Sequence, residues 1–377
     1  MKQIHGGDIY TNQNMLDFSA NINPQGLPEG VKRAVIECVN HIAEYPDISC
    51  RKLTEKLAAA EQIPPSYILC GNGAAELLFL LTHSVRPKEA VLPAPAFAEY
   101  EEALKAVACN ITYYETSRQL KFCLKDDFLD LLTEDTDMVF LCNPNNPTGN
   151  LIERKLLDEI ILTCQRKKIL LVLDECFLEF AVDGAQRSRK EMLTENPCLL
   201  ILKAFTKLYA MPGLRLGYIL CRNQELLDQM AKQGQPWRVS IPAQLAGIAA
   251  LSETEYVKES IARIHTERSW LTDQMIALGL NVYPAVANFI FFEGPKNLYE
   301  SCRKKGILIR DCSNYRGLCN GDYRIAVRYR EENKRLIEVI RQVLKEREQQ
   351  DGKINHDTRD HVKCRQELAD SRAVSNF

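Results

Sequence analysis

The sequence predicts an α/β protein with a mostly parallel central sheet and a second, smaller α+β unit. Three observations lead to this prediction. From about residue 67 onward, short apolar runs alternate with amphipathic helical patterns, which is typical of strands joined by crossover helices. A long helical stretch, 253–278, then interrupts the alternation. A last group of strand patterns and a terminal helix, 331–348, follow it.

The strand candidates are short runs rich in β-branched and other apolar residues. In the first unit they are Tyr67–Cys70, Ala90–Leu92, Asn110–Tyr114, Met138–Cys142, Ile169–Leu173, Cys198–Leu202 and Leu216–Cys221. In the second unit they are Asn288–Phe292, Ile307–Arg310 and Tyr323–Arg328. The helix pattern is clearest over Glu153–Lys168, whose apolar residues recur at helical spacing and fall on one face.

The same patterns divide the chain into four segments. We expect residues 1–40 to join the small unit, residues 41–270 to form the large domain, and residues 271–348 to form the small C-terminal α+β domain. Residues 349–377 are polar and lack apolar periodicity, so we predict a disordered tail. His356, His361 and Cys364 lie in that tail, and we therefore assign no metal site to them.

Composition and charge exclude several classes of protein. The 377 residues are 46% hydrophobic and 26% charged, as in an ordinary globular protein. A net charge of −2 argues against a nucleic-acid or membrane-surface partner. The apolar runs are too short to span a bilayer, and no secretory pattern stands at the amino terminus, so we expect a cytoplasmic protein. The fourteen cysteines form no C-x-x-C pair and are expected to be reduced.

One lysine, Lys207, stands just past the strand candidate Cys198–Leu202. Thr206 precedes it and Arg215 follows eight positions later. A lysine at a strand end can form a Schiff base with an aldehyde, while a hydroxyl and an arginine hold a phosphate. The segment therefore indicates pyridoxal 5′-phosphate. Taken alone, it also fits a solvated lysine with a structural arginine.

Three other strand ends carry polar or glycine-rich runs. Gly71–Glu76 opens a helix and exposes backbone amides that suit a phosphate. The loop Asn143–Gly149 contains two Asn-Pro steps that hold Asn146 at a strand end. Asp174 directly follows an apolar strand, where a carboxylate is costly without a partner such as a pyridinium nitrogen. Phe97 could stack on a cofactor ring, although an isolated aromatic residue is more often core.

In the order Asn146, Asp174, Lys207 and Arg215, the chain resembles fold-type I pyridoxal-phosphate enzymes of the aminotransferase class I/II family, over roughly residues 5–345. The resemblance implies that Lys207 carries the cofactor and Asp174 pairs with its ring nitrogen. It implies that Asn146 hydrogen-bonds the ring oxygen and Phe97 stacks on the ring. The implied phosphate site consists of Thr206, Arg215 and the amides around Gly73, Ala74 and Ala75.

The resemblance also implies a homodimer, because Tyr45 matches a tyrosine that reaches the neighbouring subunit's cofactor phosphate. Arg324 matches the arginine that binds the substrate carboxylate, a role that suits its bidentate fork. The chain departs from the common family pattern at two positions. Phe177 stands where a tyrosine is usual, and Ala204 stands where many members have a serine. The first change removes a donor to the ring oxygen, and the second removes one phosphate contact.

Three further stretches resemble a branch of the family that decarboxylates phosphorylated amino acids. They are His5–Asp8, Asp17–Pro24, and Ile309–Leu318 followed by Tyr323–Arg328. The last one holds several arginines, more than one carboxylate needs, which suits a substrate that also bears a phosphate; a solvated basic edge is the alternative. The resemblance makes these residues candidates for substrate binding: His5, Asn21, Arg310, Arg316, Arg324 and Arg328.

The expected reaction is therefore decarboxylation of O-phospho-L-threonine, or of O-phospho-L-serine. Its products would be (R)-1-amino-2-propanol O-phosphate and CO2, for the side chain of a cobalamin. An aminotransferase acting on histidinol phosphate or another amino acid is the main alternative. A cofactor-binding regulator without catalysis is disfavoured, because the chain retains Lys207 and the implied cofactor contacts other than those lost at Phe177 and Ala204.

Overall fold

The computed structural model describes residues 5–349. The strands are β1 (Leu16–Asp17), β2 (Ile68–Gly71), β3 (Glu89–Ala94), β4 (Asn110–Glu115), β5 (Met138–Cys142), β6 (Leu170–Asp174), β7 (Leu199–Ala204), β8 (Gly217–Cys221), β9 (Asn281–Val282), β10 (Phe289–Glu293), β11 (Ile307–Leu308), β12 (Arg310–Asp311) and β13 (Asp322–Ala326). The α-helices are α1 (Glu29–Glu37), α2 (Arg51–Glu61), α3 (Ala74–Val85), α4 (Ala98–Lys105), α5 (Arg154–Lys167), α6 (Gly184–Arg187), α7 (Gln224–Gln233), α8 (Ile241–Ala250), α9 (Thr254–Ala277), α10 (Leu298–Lys304) and, over residues 330–349, α11.

A seven-stranded sheet in the order β2-β8-β7-β6-β5-β3-β4 forms the centre of the molecule. Strand β8 runs antiparallel to both of its neighbours, and the other adjacent pairs are parallel. Every residue of β5 is buried, as in a sheet covered by helices on both faces. The predicted α/β class with a mostly parallel sheet is confirmed.

All seven strand candidates of the first unit are present, and their ends move by no more than two residues. The prediction of one strand over Ile307–Arg310 was wrong. Strand β11 pairs parallel with β1, while β12 pairs antiparallel with β13, so the chain changes sheets at Ile309. The strand predicted over Tyr323–Arg328 ends at Ala326.

The two long helices predicted from periodicity are present as α5 and α9. Helix α5 begins where the Glu153 carboxylate accepts a hydrogen bond from the Leu156 amide at 3.0 Å. It ends at Lys168, which adopts a left-handed conformation with φ of 58°. The buried face of α5 consists of Leu156, Leu157, Ile160, Ile161, Thr163 and Cys164.

A four-stranded antiparallel sheet, β12-β13-β10-β9, forms a second unit with its own apolar core around Phe289, Phe292 and Ile325. Phe18 belongs to that core, and β1 pairs with β11. These contacts support the expectation that the N-terminal segment joins the small unit. The four segment boundaries stay a prediction.

No helix within residues 5–349 is long and apolar enough to cross a membrane. No group of three or more His, Cys, Asp or Glu side chains in the same range could hold a metal ion. His356, His361 and Cys364, and the tail predicted to be disordered, lie outside the described residues except for residue 349, which is helical.

The topology gathers the polar strand ends at one edge of the central sheet. Strands β3, β5, β6 and β7 are parallel and end there. The register pairs Gly71, Gly217 and Ala204, so β2 ends and β8 begins at that edge as well. In open α/β sheets this is where ligands bind.

Candidate active site

A cavity of about 250 Å³ lies at this edge of the sheet. Its wall includes most of the residues that the sequence singled out. They are His5, Asn21, Ala74, Ala75, Phe97, Asn146, Asp174, Thr206, Lys207, Arg215, Arg310 and Arg324. Residues separated by more than 300 positions therefore meet in one place, which the parallel sheet makes possible.

Asp174 is the last residue of β6, and its carboxylate is buried. One oxygen accepts a hydrogen bond from the Tyr100 hydroxyl at 2.5 Å, and the other accepts from the Cys176 amide at 2.8 Å. Burial raises the pKa of Asp174 in spite of these donors. The carboxylate forms no ion pair with any residue from 5 to 349, so a cationic ring nitrogen would supply the missing partner.

Lys207 lies in the cavity wall just past β7. Burial, together with the nearby guanidinium groups of Arg324 and Arg215, lowers the pKa of its amine to about 8. The neutral amine is the form that attacks an aldehyde, so this environment makes Lys207 a better nucleophile than an ordinary lysine at neutral pH.

The amino end of helix α3 forms one side of the cavity, through Ala74 and Ala75. Gly73 caps this helix with φ of 84°, and a side chain there would place a Cβ atom 2.5 Å from an Arg215 nitrogen. Glycine is therefore required for the guanidinium of Arg215 to lie against the start of the helix. Backbone amides, the helix dipole and a guanidinium together make an anion site.

Arg324, on β13, reaches across from the small unit to the large one. It donates one hydrogen bond to the Asn146 side-chain oxygen and another to the Ser19 carbonyl oxygen at 3.0 Å. Its Nε atom is buried without a partner among the described residues. This unsatisfied donor suits an anionic group in the cavity, such as a substrate carboxylate.

Another part of the wall consists of polar groups from the amino-terminal segment and β12. Asn21 is 2% exposed, and its side-chain oxygen has no partner within residues 5–349. His5 lies 3.4 Å from Glu99, measured from Nε2 to a carboxylate oxygen. Arg310 is 5% exposed and donates to the Asn314 side-chain oxygen at 2.8 Å. His5 and Arg310 also line a neighbouring cavity of about 490 Å³.

Four of the sequence-predicted residues lie outside the wall of the main cavity. Gly73 contributes to the cavity by leaving room for the Arg215 guanidinium. Arg328 donates to the Glu332 carboxylate at 2.6 Å and 3.0 Å and to the Asp17 carbonyl oxygen at 3.0 Å, which gives it a structural function.

The other two are Arg316 and Tyr45. The Arg316 guanidinium lies over the Tyr113 ring, 3.7 Å from its centroid. Tyr45 is 79% exposed and stacks on Trp237, with ring centroids 4.6 Å apart. Neither residue touches the cavity within this single chain.

Among the cavity residues that the sequence analysis missed are two tyrosines. Tyr100 donates to Asp174, and Tyr315 lines the cavity. Tyr100 stands three residues after Phe97 at the start of α4, a spacing that puts both rings on one side of the helix. That spacing is a usable signal. Tyr315 lies in an irregular segment, where no periodicity reveals it.

The cavity fits pyridoxal 5′-phosphate in three respects. An amine with a lowered pKa is available for the aldehyde, and a buried carboxylate without a cationic partner is available for the ring nitrogen. The start of α3 with Arg215 is available for the phosphate. The assignment of each contact to its residue stays a prediction.

The chain belongs to the aminotransferase class I and II family, whose model matches residues 13–340. The predicted resemblance to this family is therefore confirmed. The members are pyridoxal-phosphate enzymes, so the chain is an enzyme of this type and the predicted cofactor is confirmed as well.

Within the family, the chain is 38% identical over 352 residues to the threonine-phosphate decarboxylase of Salmonella typhimurium, an alignment that covers 90% of this chain and 96% of the relative. A histidinol-phosphate aminotransferase structure from Clostridium acetobutylicum has a TM-score of 0.82 and 29% identity, and covers 87% of this chain and 99% of that one. The structure of L-threonine-O-3-phosphate decarboxylase from Porphyromonas gingivalis has a TM-score of 0.78 with the same coverage, but at 24% identity it shows the fold alone.

The lowered pKa of Lys207 predicts how cofactor binding depends on pH. Below a pH of about 8 the amine is protonated and unreactive, so the rate of pyridoxal-phosphate incorporation into the apoprotein should rise through that pH and level off above it. Stopped-flow absorbance across the pH range would measure the rate, with Lys207→Ala as the background control. A rate that keeps rising above a pH of about 8, as it would for a lysine with an ordinary pKa, would contradict the lowered pKa of Lys207.

Proposed function

We propose that this enzyme decarboxylates O-phospho-L-threonine to (R)-1-amino-2-propanol O-phosphate and CO2, a product that suits the side chain of a cobalamin. O-phospho-L-serine is a second candidate substrate, since it differs by one methyl group. The observation that carries the proposal is the presence of two buried arginines, Arg310 and Arg324, in one cavity. A substrate with both a carboxylate and a phosphate can engage both. The similarity to the Salmonella decarboxylase supports the same choice.

Bound pyridoxal phosphate supplies an electron sink for charge that develops at the substrate Cα. The protein's own contribution is orientation. Arg324 is fixed by Asn146 and Ser19, so it can hold the carboxylate at one point. Arg310, with Asn21 and His5 in the same wall, can hold the phosphate at another. Holding the substrate at two points sets the torsion about its N–Cα bond. That torsion decides whether the bond from Cα to the carboxylate or the bond from Cα to hydrogen breaks.

Lys207 completes the proposed reaction by proton transfer. Once the carboxylate has left as CO2, Cα needs a proton, and the ammonium form of Lys207 can donate it. A pKa of about 8 places this group near neutrality, where an acid or base transfers protons most effectively. The carboxylate of Asp174, which accepts a hydrogen bond from Tyr100, lies in the wall of the same cavity.

An aminotransferase acting on histidinol phosphate is the second candidate. The Clostridium structure, at 29% identity, favours it over other reactions of the family. In that case Arg324 would hold the carboxylate of the amino acceptor, and Lys207 would remove the Cα proton. The same cavity could serve both reactions, so a product assay has to separate them.

The experiment compares two reactions of the purified, pyridoxal-phosphate-loaded protein. One tube holds O-phospho-L-threonine, and the other holds histidinol phosphate with 2-oxoglutarate. We expect CO2 and aminopropanol phosphate in equal amounts in the first tube, and no glutamate in the second. Mass spectrometry would measure both products.

Lys207→Ala is the control for this assay, because it should abolish CO2 release while leaving the fold intact. Glutamate in the second tube with no CO2 in the first would overturn the decarboxylase and establish the aminotransferase. Normal activity in Lys207→Ala would contradict both functions.

We also propose that the enzyme is a cytoplasmic homodimer with shared active sites. The thirteen cysteines of the described residues are all free, as expected in a reducing compartment. A cluster of large apolar side chains is exposed around Tyr45 in the single chain. Their exposure supports the proposal that a second subunit covers this surface in a dimer. The cluster consists of Ile36, Val39, Ile42, Tyr45, Ile48 and Trp237.

Mixing two inactive variants tests the sharing of active sites. At limiting cofactor, we expect Tyr45→Ala to weaken phosphate binding enough to leave the neighbouring subunit's site empty and inactive, and Lys207→Ala to inactivate its own site. A mixed dimer would then hold one intact site, so refolding the variants together should restore activity to about a quarter of the wild-type level. Refolding each variant alone is the control. No recovery, in a mixture shown to be dimeric, would contradict a contribution of Tyr45 across the interface.

A further inference from the structure

The segment 312–318 connects β12 to β13 and forms a tight turn against the cavity. Three backbone hydrogen bonds define it: Cys312 N–H to the Asp322 carbonyl oxygen at 2.8 Å, Tyr315 N–H to Cys312 at 3.0 Å, and Leu318 N–H to Tyr315 at 3.1 Å. The turn places Tyr315 in the wall of the main cavity. The proposed reaction assigns no function to this tyrosine.

Tyr315 lies at the same end of the cavity as Arg310. The guanidinium carbon of Arg310 is 5.2 Å from the centroid of the Tyr315 ring, and Arg310 also binds Asn314, the residue before it. Tyr315 and Arg310 both line the main cavity. Burial raises the pKa of Tyr315, so the hydroxyl keeps its proton at neutral pH and can donate it to an anion.

Arg316 connects the segment 312–318 to the large unit. Its guanidinium lies over the ring of Tyr113 on β4, 3.7 Å from the centroid, and one nitrogen is 3.8 Å from the Glu101 carboxylate on α4. A small cavity of about 50 Å³ lies between these groups and Tyr315. The arginine that follows Tyr315 thus bridges to the sheet, and this contact fixes where the tyrosine ring can lie.

We propose that Tyr315 is a further substrate-binding residue, whose hydroxyl donates a hydrogen bond to the substrate phosphate beside Arg310, and that Arg316 is the residue that positions it. The proposal deepens the proposed function and rests on it for the identity of the substrate. It assigns Arg316 to the support of the turn instead of to direct substrate contact.

The test compares Tyr315→Phe with Tyr10→Phe, a change at a tyrosine that is 84% exposed and outside the cavity wall. We expect Tyr315→Phe to raise the KM for O-phospho-L-threonine roughly tenfold to hundredfold, as for the loss of a hydrogen bond to a charged group. The kcat and the absorbance of the bound cofactor should change little. Calorimetric binding of inorganic phosphate should weaken by a similar factor.

Arg316 is tested by the pair Arg316→Ala and Arg316→Lys. The alanine variant should raise KM less than Tyr315→Phe does, and lysine should restore part of the loss, since an ammonium can also lie over the Tyr113 ring. Arg154→Ala, at an exposed arginine on α5, is the matched control. An unchanged KM in Arg316→Ala, with intact cofactor absorbance, would overturn the positioning function.

The binding of inorganic phosphate separates failure of this proposal from failure of the proposed reaction. If the enzyme proves to be an aminotransferase, histidinol phosphate also bears a phosphate, so weaker phosphate binding in Tyr315→Phe would still support the tyrosine contact. Unchanged phosphate affinity in Tyr315→Phe would overturn the contact, whichever reaction the enzyme performs.

Discussion

The buried carboxylate of Asp174 is the constraint on which the rest of the site depends. Taking a carboxylate out of water costs several kcal/mol even after relaxation, on the order of the whole gain from a few hydrogen bonds. Tyr100 and the Cys176 amide offset part of that cost. A cationic ring nitrogen of the cofactor would offset more, because it would bring a positive charge. The position of Asp174 at the end of β6, in the middle of the sheet, thus favours binding of a cation-bearing ring.

Two lysines near the end of β7 show how the surroundings select the reactive one. Lys203 is buried among carboxylates, at 2.8 Å from Glu61 and 3.1 Å from Glu179, and these raise its pKa. Lys207 is instead buried with Arg324 and Arg215 nearby, and its pKa falls. The two side chains are four residues apart, yet one is held as a structural cation and the other is available as a nucleophile.

The sequence predicted the sheet and most of the cavity because both depend on local patterns. Buried strands read as apolar runs, and Asp174 and Lys207 stand at their ends, where parallel strands bring side chains together. The sequence did not reveal the change of sheet at Ile309, because the identity of the strand with which a segment pairs leaves no periodic pattern in the sequence. The several arginines of the segment 310–328 suggested an anion site. The sequence did not show that one of them, Arg328, forms an ion pair with Glu332.

The central claim is that Lys207, in the same cavity wall as Asp174, is the residue that binds the cofactor. The most direct measurement is to load the protein with pyridoxal phosphate, reduce it with borohydride, and map the labelled peptide by mass spectrometry. The account predicts one major label, on Lys207. In Lys207→Ala that label should be lost, and no other lysine should take it up. A label on Lys203, or one spread over surface lysines with Lys207 unmodified, would contradict it.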